Sequence, residues 1–468
     1  MHTFDIKKQQ HIYFIGIGGI SMSGLAELLL FNGHKVTGSD ARSSLLTERL
    51  EKKGAVIYYD QTVCHIPDDT DMVVYSAAIR PGNPDLDTAA ARGIPTLTRA
   101  ELLGQVMKDY KYSVAVSGTH GKTTTTSMIS EILLEAGTDP TLSIGGILQT
   151  IGGNFRVGGS DYFVTEACEY TNSFLSFFPY IGIILNIDAD HLDFFKDLDD
   201  IRHSFHEFAR LIPGDGLLIV NEEIPRYDEF ISDLKCRIIT VGKSEKCDYY
   251  EKDISLDDNA HATFTAVCSD PDIPDRRFTL GVPGVHNVFN SLAAIALADE
   301  LGIDPAITRK ALKGFKGSDR RFQYKGDMPA ADGSGTFSIY DDYAHHPTEI
   351  RATMNTALKL NHNELWVIFQ PHTYTRTKVL IDDFAEVLAM ADHCILTDIY
   401  AAREKDDLGI SSDTLADRIR AKGRDCIHIS AFDDIGKYVS QNCTKNDLLI
   451  TMGAGDVVNI GEALLQKK

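Results

Sequence analysis

Short apolar runs alternate with amphipathic, helix-like stretches along most of the chain. In the first series, four apolar runs read as strands, and helical stretches such as residues 23–31 separate them. Regular alternation of this kind is typical of a parallel sheet with crossover helices. A helix predicted over residues 97–108 is followed by polar residues 109–111, where we place the first domain boundary. The predicted strands span residues 11–15, 35–37, 55–59 and 72–75.

The same alternation starts again at residue 112 and a third time near residue 337. Between these two series, residues 244–275 are polar and predict antiparallel β-structure, and helices are predicted over 287–301 and 305–313. The segment 314–322 carries glycine and cations, which is typical of a linker whose residues also take part in function. We therefore predict an α/β protein with three domains, over residues 1–110, 111–322 and 323–468. The later predicted strands span residues 112–116, 162–165, 181–186, 216–221, 237–241, 337–340, 365–369, 393–397, 426–429 and 448–451.

Composition narrows the functional classes. The 468 residues carry 46 Lys+Arg against 67 Asp+Glu, a formal net charge of -21, which argues against broad binding of nucleic acid. No apolar run approaches the ~20 residues that span a bilayer, and no signal peptide is evident, so we expect a cytoplasmic protein without a membrane partner. The 8 cysteines are scattered without a CxxC pair, so we expect reduced, buried side chains, Cys168 included.

A glycine-rich turn follows the first predicted strand. Gly16, Gly18, Gly19 and Gly24 stand between a strand and a helix in IYFIGIGGISMSGLAELL. Glycines there let a phosphate approach the helix N-terminus, and Asp40 closes the second strand, where an acid can bind a ribose hydroxyl. The GxGxxG pattern fails because its third glycine is replaced by a serine. The turn predicts a diphosphate-containing nucleotide, with a nicotinamide cofactor or simple strand–helix packing as alternatives.

A second loop, SGTHGKTTTT, follows the predicted strand 112–116 and opens an amphipathic helix. Gly118 and Gly121 free the backbone so that successive N–H groups can point at phosphate oxygens. Lys122 can reach the outer phosphates, and Thr123 offers a hydroxyl to Mg²⁺. The usual GxxxxGK[ST] spacing is not met, because Val116 stands where its first glycine would be. We interpret the segment as a compact phosphate loop, with a chance GKT turn as the alternative.

A bound triphosphate needs a metal ion and therefore acidic ligands. Glu166 ends the apolar run DYFVTE, Glu169 follows three residues later, and His191 follows the run ending NIDAD. Because the ends of parallel strands face one crevice, Glu166 and His191 are candidates to converge on Mg²⁺. A surface hydrogen-bonding role is the alternative for His191.

The chain resembles the Mur ligases of peptidoglycan synthesis in these segments together: GIGGISMSG, GTHGKTTTT, TEACEYTNSF and NIDADHLD. The resemblance continues through GVHNVFNSLAA, FKGSDRRFQ, YDDYAHHPTEI, FQPHTYTRTK and TMGAGDV, and so covers essentially the whole chain. Within the family, the likeness is greatest to the members that add L-alanine.

The resemblance implies an N-terminal Rossmann-like domain for a UDP-sugar, a central P-loop ATPase domain with a mixed sheet, and a C-terminal Rossmann-like domain for an amino acid. It implies that ATP phosphorylates the lactyl carboxylate of UDP-N-acetylmuramate, and that L-alanine attacks the acyl phosphate. The implied cofactors are ATP and Mg²⁺, with Mn²⁺ as an alternative ion. We expect a monomer or a homodimer.

The resemblance also implies roles for individual residues. The implied catalytic set is Lys122, His191, Arg320, Arg321, His345 and His346, without a choice of proton acceptor. The implied ATP contacts are Gly118, Thr119, His120, Gly121, Lys122, Thr123, Thr124, His286, Asn287, Asn290, Arg321, Asp342 and Tyr343. The implied metal ligands are Thr123, Glu166 and His191. The implied UDP-sugar contacts are Gly16, Gly18, Gly19, Ser23, Asp40, Ser76 and Asn83. The implied amino-acid contacts are His372, Arg376 and Thr377.

Purely structural explanations are alternatives to some of these roles. Asn287 can cap a helix, and the paired histidines can be an exposed loop. This chain has Thr373 where many relatives have arginine.

A related ligase that attaches a whole tripeptide to the same UDP-sugar is the nearest rival, but its glycine motif usually resembles GICGT. A nucleotide-binding regulator or transport ATPase is the rival from another class, and it leaves the later motifs without a role.

Overall fold

The computed structural model describes residues 3–76, 78–402, 404–406 and 408–466. Contacts between Cα atoms divide the chain into two compact units. Unit 1 comprises Met1–Ile187, Arg202–Thr240 and Ala296–Ile303. Unit 2 comprises Asp188–Ile201, Val241–Ile295 and Asp304–Lys468.

The first sheet lies in unit 1 and has five parallel strands in the order β3-β2-β1-β4-β5. Its central strand β1 is buried along its whole length, as expected for an apolar run covered on both faces. The strands predicted over 11–15 and 72–75 are confirmed. The elements are β1 (His11–Ile15), α1 (Ile20–Phe31), β2 (Lys35–Ser39), α2 (Leu45–Lys52), β3 (Val56–Tyr58), β4 (Met72–Tyr75), α3 (Pro84–Arg92), β5 (Thr96–Thr98) and α4 (Arg99–Met107).

The helix predicted over residues 97–108 is wrong at its start. Residues Thr96–Thr98 form the edge strand β5, in which threonines on both sides of a leucine favour an extended backbone. Thr98 then caps α4, because its hydroxyl accepts from Glu101 N while the Glu101 carboxylate accepts from Thr98 N.

Unit 1 also holds the strands around the phosphate loop, in the order β12-β11-β10-β6-β9-β7-β8. The recorded pairs of β6, β9, β10 and β11 are parallel, and the outer pair β7–β8 is antiparallel. Sequence reasoning missed β7 and β8, because glycines and polar residues interrupt their apolar pattern. The elements are β6 (Tyr112–Ser117), α5 (Lys122–Glu135), β7 (Thr141–Leu148), β8 (Gly153–Arg156), β9 (Tyr162–Glu166), β10 (Ile181–Ile184), α6 (Leu198–Arg210), β11 (Leu217–Asn221), α7 (Tyr227–Ile231) and β12 (Arg237–Gly242), with 3-10 helices at Gln149–Ile151 and Tyr170–Ser176.

In unit 2, the segment after β12 forms the predicted antiparallel structure. Strands β13, β14 and β15 pair as neighbours in an antiparallel arrangement, with register shifts in both pairs. Helix α8 runs from unit 2 into unit 1, and both helices predicted in this segment are confirmed. The elements are β13 (Tyr249–Leu256), β14 (His261–Cys268), β15 (Arg276–Pro283), α8 (His286–Glu300) and α9 (Pro305–Gly314).

The third sheet also lies in unit 2, in the order β16-β17-β21-β18-β19-β20. All pairs are parallel except β16–β17, and apolar clusters cover both faces. The elements are β16 (Gln323–Pro329), β17 (Thr336–Asp342), α10 (Pro347–Ala357), β18 (Leu365–Phe369), α11 (Tyr374–Val379), α12 (Ile381–Leu388), β19 (His393–Leu396), α13 (Ser412–Ala421), β20 (Asp425–His428), α14 (Phe432–Asn442), β21 (Leu448–Met452) and α15 (Val458–Gln466).

Three sheets with crossover helices confirm the predicted α/β fold with three domains. The boundaries at residues 110 and 322 stay predictions, because contacts divide the chain into two units. Buried cysteines are confirmed at five positions, but Cys168 is exposed, so its assignment to packing is wrong. Among the described residues, we find no helix with the length and apolarity to cross a membrane.

Gly24 lets helix α1 approach β8 closely. A Cβ atom at this position would lie 2.3 Å from Phe155 Cγ, far inside van der Waals contact. The third glycine of a dinucleotide fingerprint serves close helix–strand packing. Here Ser21 stands in that place and accepts a hydrogen bond from Arg99, and Gly24 provides the close approach one turn later.

We expect Gly24→Ala to destabilise the protein by up to about 2 kcal/mol, because overpacking at about 1–3 kcal/mol outweighs a gain of about 1 kcal/mol in helix propensity. Denaturant unfolding of the variant measures this loss. The matched control is Gly314→Ala near the end of α9, where an added Cβ meets nothing within 4 Å. If Gly24→Ala were as stable as wild type, the close approach would not constrain the fold.

Candidate active site

The predicted order of strand, phosphate loop and helix is confirmed in unit 1, where the loop joins β6 to α5. Gly118 has φ +138° and Gly121 has φ +84°. Side chains strain the backbone at such angles, so glycine is needed at both positions. An added Cβ at Gly118 would also lie 3.0 Å from Leu185 Cβ. Gly121 is the N-cap of α5, and among the described residues no side chain caps this helix, so its N-terminus suits an anion.

Asn186, at the end of β10, holds the loop in shape. Its side-chain oxygen accepts from His120 N at 2.7 Å, and its amide donates to His120 O at 3.0 Å. Its backbone carbonyl accepts from Thr119 N at 3.1 Å. No role for Asn186 was predicted from the sequence. The available signal was its position at a strand end next to the strand that carries the loop.

Lys122 points back into the loop. Its Nζ donates to Gly118 O at 2.5 Å, to Thr119 O at 3.0 Å and to Glu169 Oε2 at 3.0 Å. Burial lowers the pKa of Lys122, but the Glu169 carboxylate outweighs it, so the net pKa is raised and the ammonium stays charged. The Glu169 side chain is only 2% exposed, which makes it the buried counter-ion of this lysine.

Thr123 and Glu166 come together as predicted for metal ligands. The Thr123 hydroxyl donates to Glu166 Oε2 at 3.2 Å, and the other carboxylate oxygen accepts from Gly145 N at 2.5 Å. A hydroxyl beside a carboxylate is a donor set of hard oxygens, which fits Mg²⁺. Thr124 follows on the same first turn of α5 and is half-buried.

His191 belongs to unit 2, and its backbone adopts φ +52°. Its N–H donates to Asp190 Oδ1 at 2.7 Å. Its role as a metal ligand stays a prediction.

In unit 1, the backbone N–H groups of the glycine-rich loop donate hydrogen bonds that hold the loop together. Gly16 N donates to Ser39 O, Gly19 N donates to Gly16 O, and Gly18 N donates to Asp40 Oδ2 at 2.7 Å. The Asp40 carboxylate is therefore bonded to the loop. Its expected contact with a ribose hydroxyl stays a prediction. The first turn of α1 follows the loop, and no described side chain caps it. This helix end is the part of the segment best suited to a diphosphate.

The other predicted UDP-sugar contacts in unit 1 have structural partners. Ser76 follows β4, its Oγ accepts from Ala78 N, and it lies beside Gly16. Ser23 is buried and donates to Ile20 O within α1. Asn83 caps α3 by accepting two backbone N–H groups. Ser76 thus lies beside the glycine loop, and Ser23 N donates to Gly19 O of the same loop.

The two predicted arginines of unit 2 differ in their surroundings. Arg320 Nε donates to Asp341 Oδ2 at 3.0 Å, while its terminal nitrogens donate to Gly453 O and Gly455 O. These bonds join β17 to the loop after β21 and occupy the guanidinium. Both guanidinium groups lie over the Tyr343 ring, Arg320 at 5.1 Å and Arg321 at 5.5 Å, and Arg321 Nη1 lies 3.9 Å from Glu349 Oε1. The catalytic roles of both arginines stay predictions.

Residues from three predicted nucleotide motifs meet around Arg321 in unit 2. Arg321 lies within electrostatic reach of both His286 and Asp342. Burial raises the pKa of Asp342 to about 6, although Arg321 and hydrogen bonds oppose the shift. The carboxylate accepts from Phe322 N, Ala344 N and Thr353 Oγ1, so it fixes this loop.

Asn287 and Asn290 lie one turn apart at the start of α8. Asn287 Nδ2 donates to Pro283 O at 2.7 Å, and Asn290 Nδ2 donates to Asn287 Oδ1 at 3.0 Å. A capping side chain would accept from the helix's own N–H groups. The recorded bonds instead link the two amides and tie the helix to the end of β15.

The predicted amino-acid contacts surround Arg376 in unit 2. Its Nε and Nη2 donate to Asp190 Oδ1 at 3.1 and 2.8 Å, and its Nη1 bonds His372 Nδ1 at 3.1 Å. Thr377 is buried, and its hydroxyl donates to Thr373 O within α11. Burial raises the pKa of Asp190, but Arg376 and the neighbouring histidines outweigh it, so the net pKa is lowered.

Thr373 stores backbone strain next to this arginine. Its φ is +68° and its ψ is 144°, a region that a β-branched residue rarely adopts. Its N–H donates to Tyr400 O at 2.9 Å, and its hydroxyl caps α11 by accepting from Arg376 N. These bonds hold the strained turn that places His372 and Arg376 side by side.

Comparison with known proteins gives a consistent result along the chain. Three family models match: the Mur ligase family catalytic domain at residues 11–111, the Mur ligase middle domain at 116–298, and the Mur ligase glutamate ligase domain at 320–455.

Two curated relatives match over their full length. UDP-N-acetylmuramate–L-alanine ligases from Agathobacter rectalis and Lachnospira eligens are 55% and 52% identical, and each match covers 100% of both chains. A solved UDP-N-acetylmuramate–alanine ligase from Thermotoga maritima has a TM-score of 0.78 at 30% identity, over 98% of this chain and 99% of that chain. A murein peptide ligase from Psychrobacter arcticus has a TM-score of 0.70 at 28% identity, over 98% of each chain.

We expect Glu169→Gln to lower the melting temperature, because it leaves a buried ammonium without its counter-ion. Removing one partner of a buried pair costs about 3–5 kcal/mol, and the exposed fraction of Lys122, 15%, favours the lower end. Added Mg–ATP should stabilise this variant more than wild type, because its phosphates supply the missing charge. Thermal unfolding with and without Mg–ATP measures both effects.

The matched control is Glu207→Gln, which breaks an exposed pair with Arg210. Its melting temperatures with and without Mg–ATP should be nearly those of wild type. If Mg–ATP stabilised Glu169→Gln and wild type equally, Glu169 and the phosphates would not compete for Lys122.

Proposed function

The chain belongs to the Mur ligase family, and we propose that it is an ATP-dependent ligase that joins L-alanine to the lactyl carboxylate of UDP-N-acetylmuramate. The observation that carries the proposal is the end-to-end identity of 48–55% to relatives that share this name. The reaction belongs to the synthesis of peptidoglycan precursors, and we place it in the cytoplasm. The proposed domains are residues 1–110 for the UDP-sugar, 111–322 for ATP and 323–468 for the amino acid.

The carboxylate must first become an electrophile, because its oxygen is a poor leaving group. Phosphorylation by ATP gives an acyl phosphate, and the departing phosphoryl group needs positive charge around it. Lys122 supplies that charge inside the loop, once phosphate oxygens replace Glu169 as its partner. Gly118 and Gly121 give the loop the shape in which its N–H groups face the phosphates.

Mg²⁺ is the proposed metal, with Mn²⁺ as an alternative, and its chemistry is to neutralise charge on the phosphates. Thr123 and Glu166 would hold it, since their oxygens already lie 3.2 Å apart. His191 is proposed to help hold a second ion.

The nucleotide base is proposed to bind beside α8. His286, Asn287 and Asn290 offer ring and amide groups that suit a purine edge, and Arg321 contributes positive charge nearby. Asp342 and Tyr343 shape this part of the site.

UDP-N-acetylmuramate is proposed to bind at the glycine-rich loop. Its diphosphate would lie at the N-terminus of α1, with Gly16, Gly18 and Gly19 allowing the approach and Ser76 beside them. Asp40 keeps the loop closed by accepting from Gly18 N. Ser23 and Asn83 would act by holding α1 and α3 in place, since both bond the backbone.

L-Alanine is proposed to bind with its carboxylate on Arg376. The arginine Nε and Nη2 both donate to one carboxylate oxygen, Oδ1 of Asp190, so this edge of the guanidinium already points at a carboxylate. A ligand carboxylate can meet the same two donors with one oxygen each. His372 holds the third nitrogen of the guanidinium, and Thr377 fixes the turn behind it.

Phosphate release from ATP tests the proposed function, with UDP-N-acetylmuramate present and L-alanine or the cell-wall tripeptide as acceptor. Release that needs both the UDP-sugar and L-alanine is the expected result. Release that needs the tripeptide would assign the chain to recycling, as the likeness to a murein peptide ligase allows. Release that ignores the UDP-sugar would contradict a ligase and favour a nucleotide-binding regulator.

We expect Arg376→Ala to raise the KM for L-alanine by about 10- to 100-fold, the effect of losing about 1.5–3 kcal/mol of charge-assisted hydrogen bonding. The KM for ATP should change little. Steady-state kinetics with each substrate varied in turn measures the difference. The control is Arg351→Ala, which removes an exposed arginine paired with Glu386. An unchanged KM for L-alanine would remove Arg376 from the amino-acid site.

A further inference from the structure

The proposed ligase reaction needs a proton acceptor, and the identity of that acceptor rests on the proposed function. At neutral pH the amine of L-alanine is an ammonium, which has no lone pair for attack on an acyl phosphate. His191 is proposed to hold a metal ion, which leaves three histidines of unit 2 as candidates: His345, His346 and His372. A histidine accepts a proton only at a ring nitrogen that carries a free lone pair, so the hydrogen bonds of each ring decide between them.

His346 is engaged at both ring nitrogens. Its Nε2 lies 3.2 Å from Ala189 O, to which only an N–H can donate. Its Nδ1 accepts from Thr348 N at 3.3 Å, which makes His346 the N-cap of α10. The ring is also buried. His346 therefore holds the loop in place.

His372 has its lone pair turned to Arg376. The arginine cannot accept a hydrogen bond, so Nδ1 of His372 is the acceptor and its proton sits on Nε2. The pKa of His372 is lowered to about 4 by burial, His345 and Arg376, which keeps this neutral tautomer at neutral pH. His372 is thereby a donor toward its surroundings and an orienting partner of Arg376.

His345 has the opposite arrangement. Its Nδ1 lies 3.1 Å from Tyr343 O and 3.3 Å from Glu349 Oε2, both of which are acceptors, so Nδ1 carries the proton. Nε2 is then the nitrogen with the lone pair, and no described residue bonds it. Its ring lies 5.7 Å from that of His372, the partner of Arg376. The base would thus stand beside the proposed carboxylate site.

Burial of the His345 ring favours its uncharged form before the substrate binds. Burial and Arg376 lower the pKa of His345 to about 4, while Glu349, Asp190 and the Tyr343 carbonyl act in the opposite direction. An amino-acid carboxylate on Arg376 adds a negative charge, which strengthens the base. Glu349 in turn stabilises the imidazolium that forms.

We propose that His345 is the general base that takes the proton of the L-alanine ammonium at Nε2, with Glu349 as the positioning carboxylate. The N–H bond of the ammonium breaks, its electron pair stays on nitrogen, and the proton moves to His345. The free amine then forms the C–N bond, and the C–O bond to phosphate breaks as phosphate leaves with the electron pair. The second amine proton passes to the leaving phosphate, and His345 returns its own proton to solvent.

The test compares two nucleophiles on one acyl phosphate. Hydroxylamine is unprotonated at neutral pH and needs no base, whereas L-alanine does. We expect His345→Gln to lose about 10²- to 10⁴-fold in kcat with L-alanine, the usual effect of a general base. The same variant should keep most of its UDP-sugar-dependent hydroxamate formation. His206→Gln, at a half-buried histidine of unit 1 paired with Asp233, is the matched control.

Equal losses with both nucleophiles, or no loss with L-alanine, would overturn the assignment of His345. A wild-type protein that forms neither product would overturn the proposed function instead, so the two failures are distinguishable.

Glu349→Gln keeps the assignment testable if His345→Gln does not fold. Because Glu349 raises the pKa of His345, its loss should move the acid limb of kcat with L-alanine to lower pH and lower the plateau. Hydroxamate formation should not show the shift of the acid limb, whereas a loss that acts through Arg321, 3.9 Å from Glu349 Oε1, would lower both plateaus alike. An acid limb that stays in place would overturn the positioning role of Glu349.

Discussion

The phosphate loop depends on one interaction, the buried ion pair between Lys122 and Glu169. An ammonium inside a fold is tolerated only when a charge and several acceptors compensate it. Glu169 provides the charge, and the carbonyls of Gly118 and Thr119 provide the acceptors. The same bonds curl the loop around the lysine. At Lys122, the proposed binding of ATP is then an exchange of one set of anionic oxygens for another.

In unit 2, acidic side chains likewise compensate the charge of two arginines. Asp190 holds Arg376 and Asp341 holds Arg320, each at about the distance that a ligand carboxylate or phosphate would take. A chain with a net charge of -21 can therefore present local positive sites for anionic substrates. The difference between the two arginines is informative. Arg320 is also bonded to two backbone carbonyls, of Gly453 and Gly455, and its catalytic role stays a prediction. Arg376 is bonded to His372, a residue of the proposed amino-acid site.

Much of the fold could be predicted from the sequence, because buried parallel strands are short apolar runs with clear ends. The strands at His11–Ile15 and Leu365–Phe369 were placed to the residue. Edge strands were missed or shifted, because their sequences are polar or glycine-rich, as in β8 and β16. The phosphate loop was visible because glycine, lysine and threonine must stand next to each other in the chain for its chemistry.

The partners of the site residues could not be predicted in the same way. Asn186 and Asp190 stand in recognised motifs, but their roles depend on pairing with residues far along the chain. The tautomers of His345 and His372 depend on single hydrogen bonds, which no sequence pattern specifies. Sequence reasoning could therefore list the histidines, and three-dimensional contacts were needed to distinguish them.

The central claim is that ATP activates the lactyl carboxylate as an acyl phosphate. The most direct measurement uses UDP-N-acetylmuramate whose carboxylate carries the heavy isotope of oxygen, with ATP and L-alanine, and determines the mass of the released phosphate. One heavy oxygen is expected to move from the carboxylate to each phosphate, since the C–O bond breaks when the amine attacks. Phosphate without the label would contradict an acyl-phosphate intermediate, because its oxygen would then come from water.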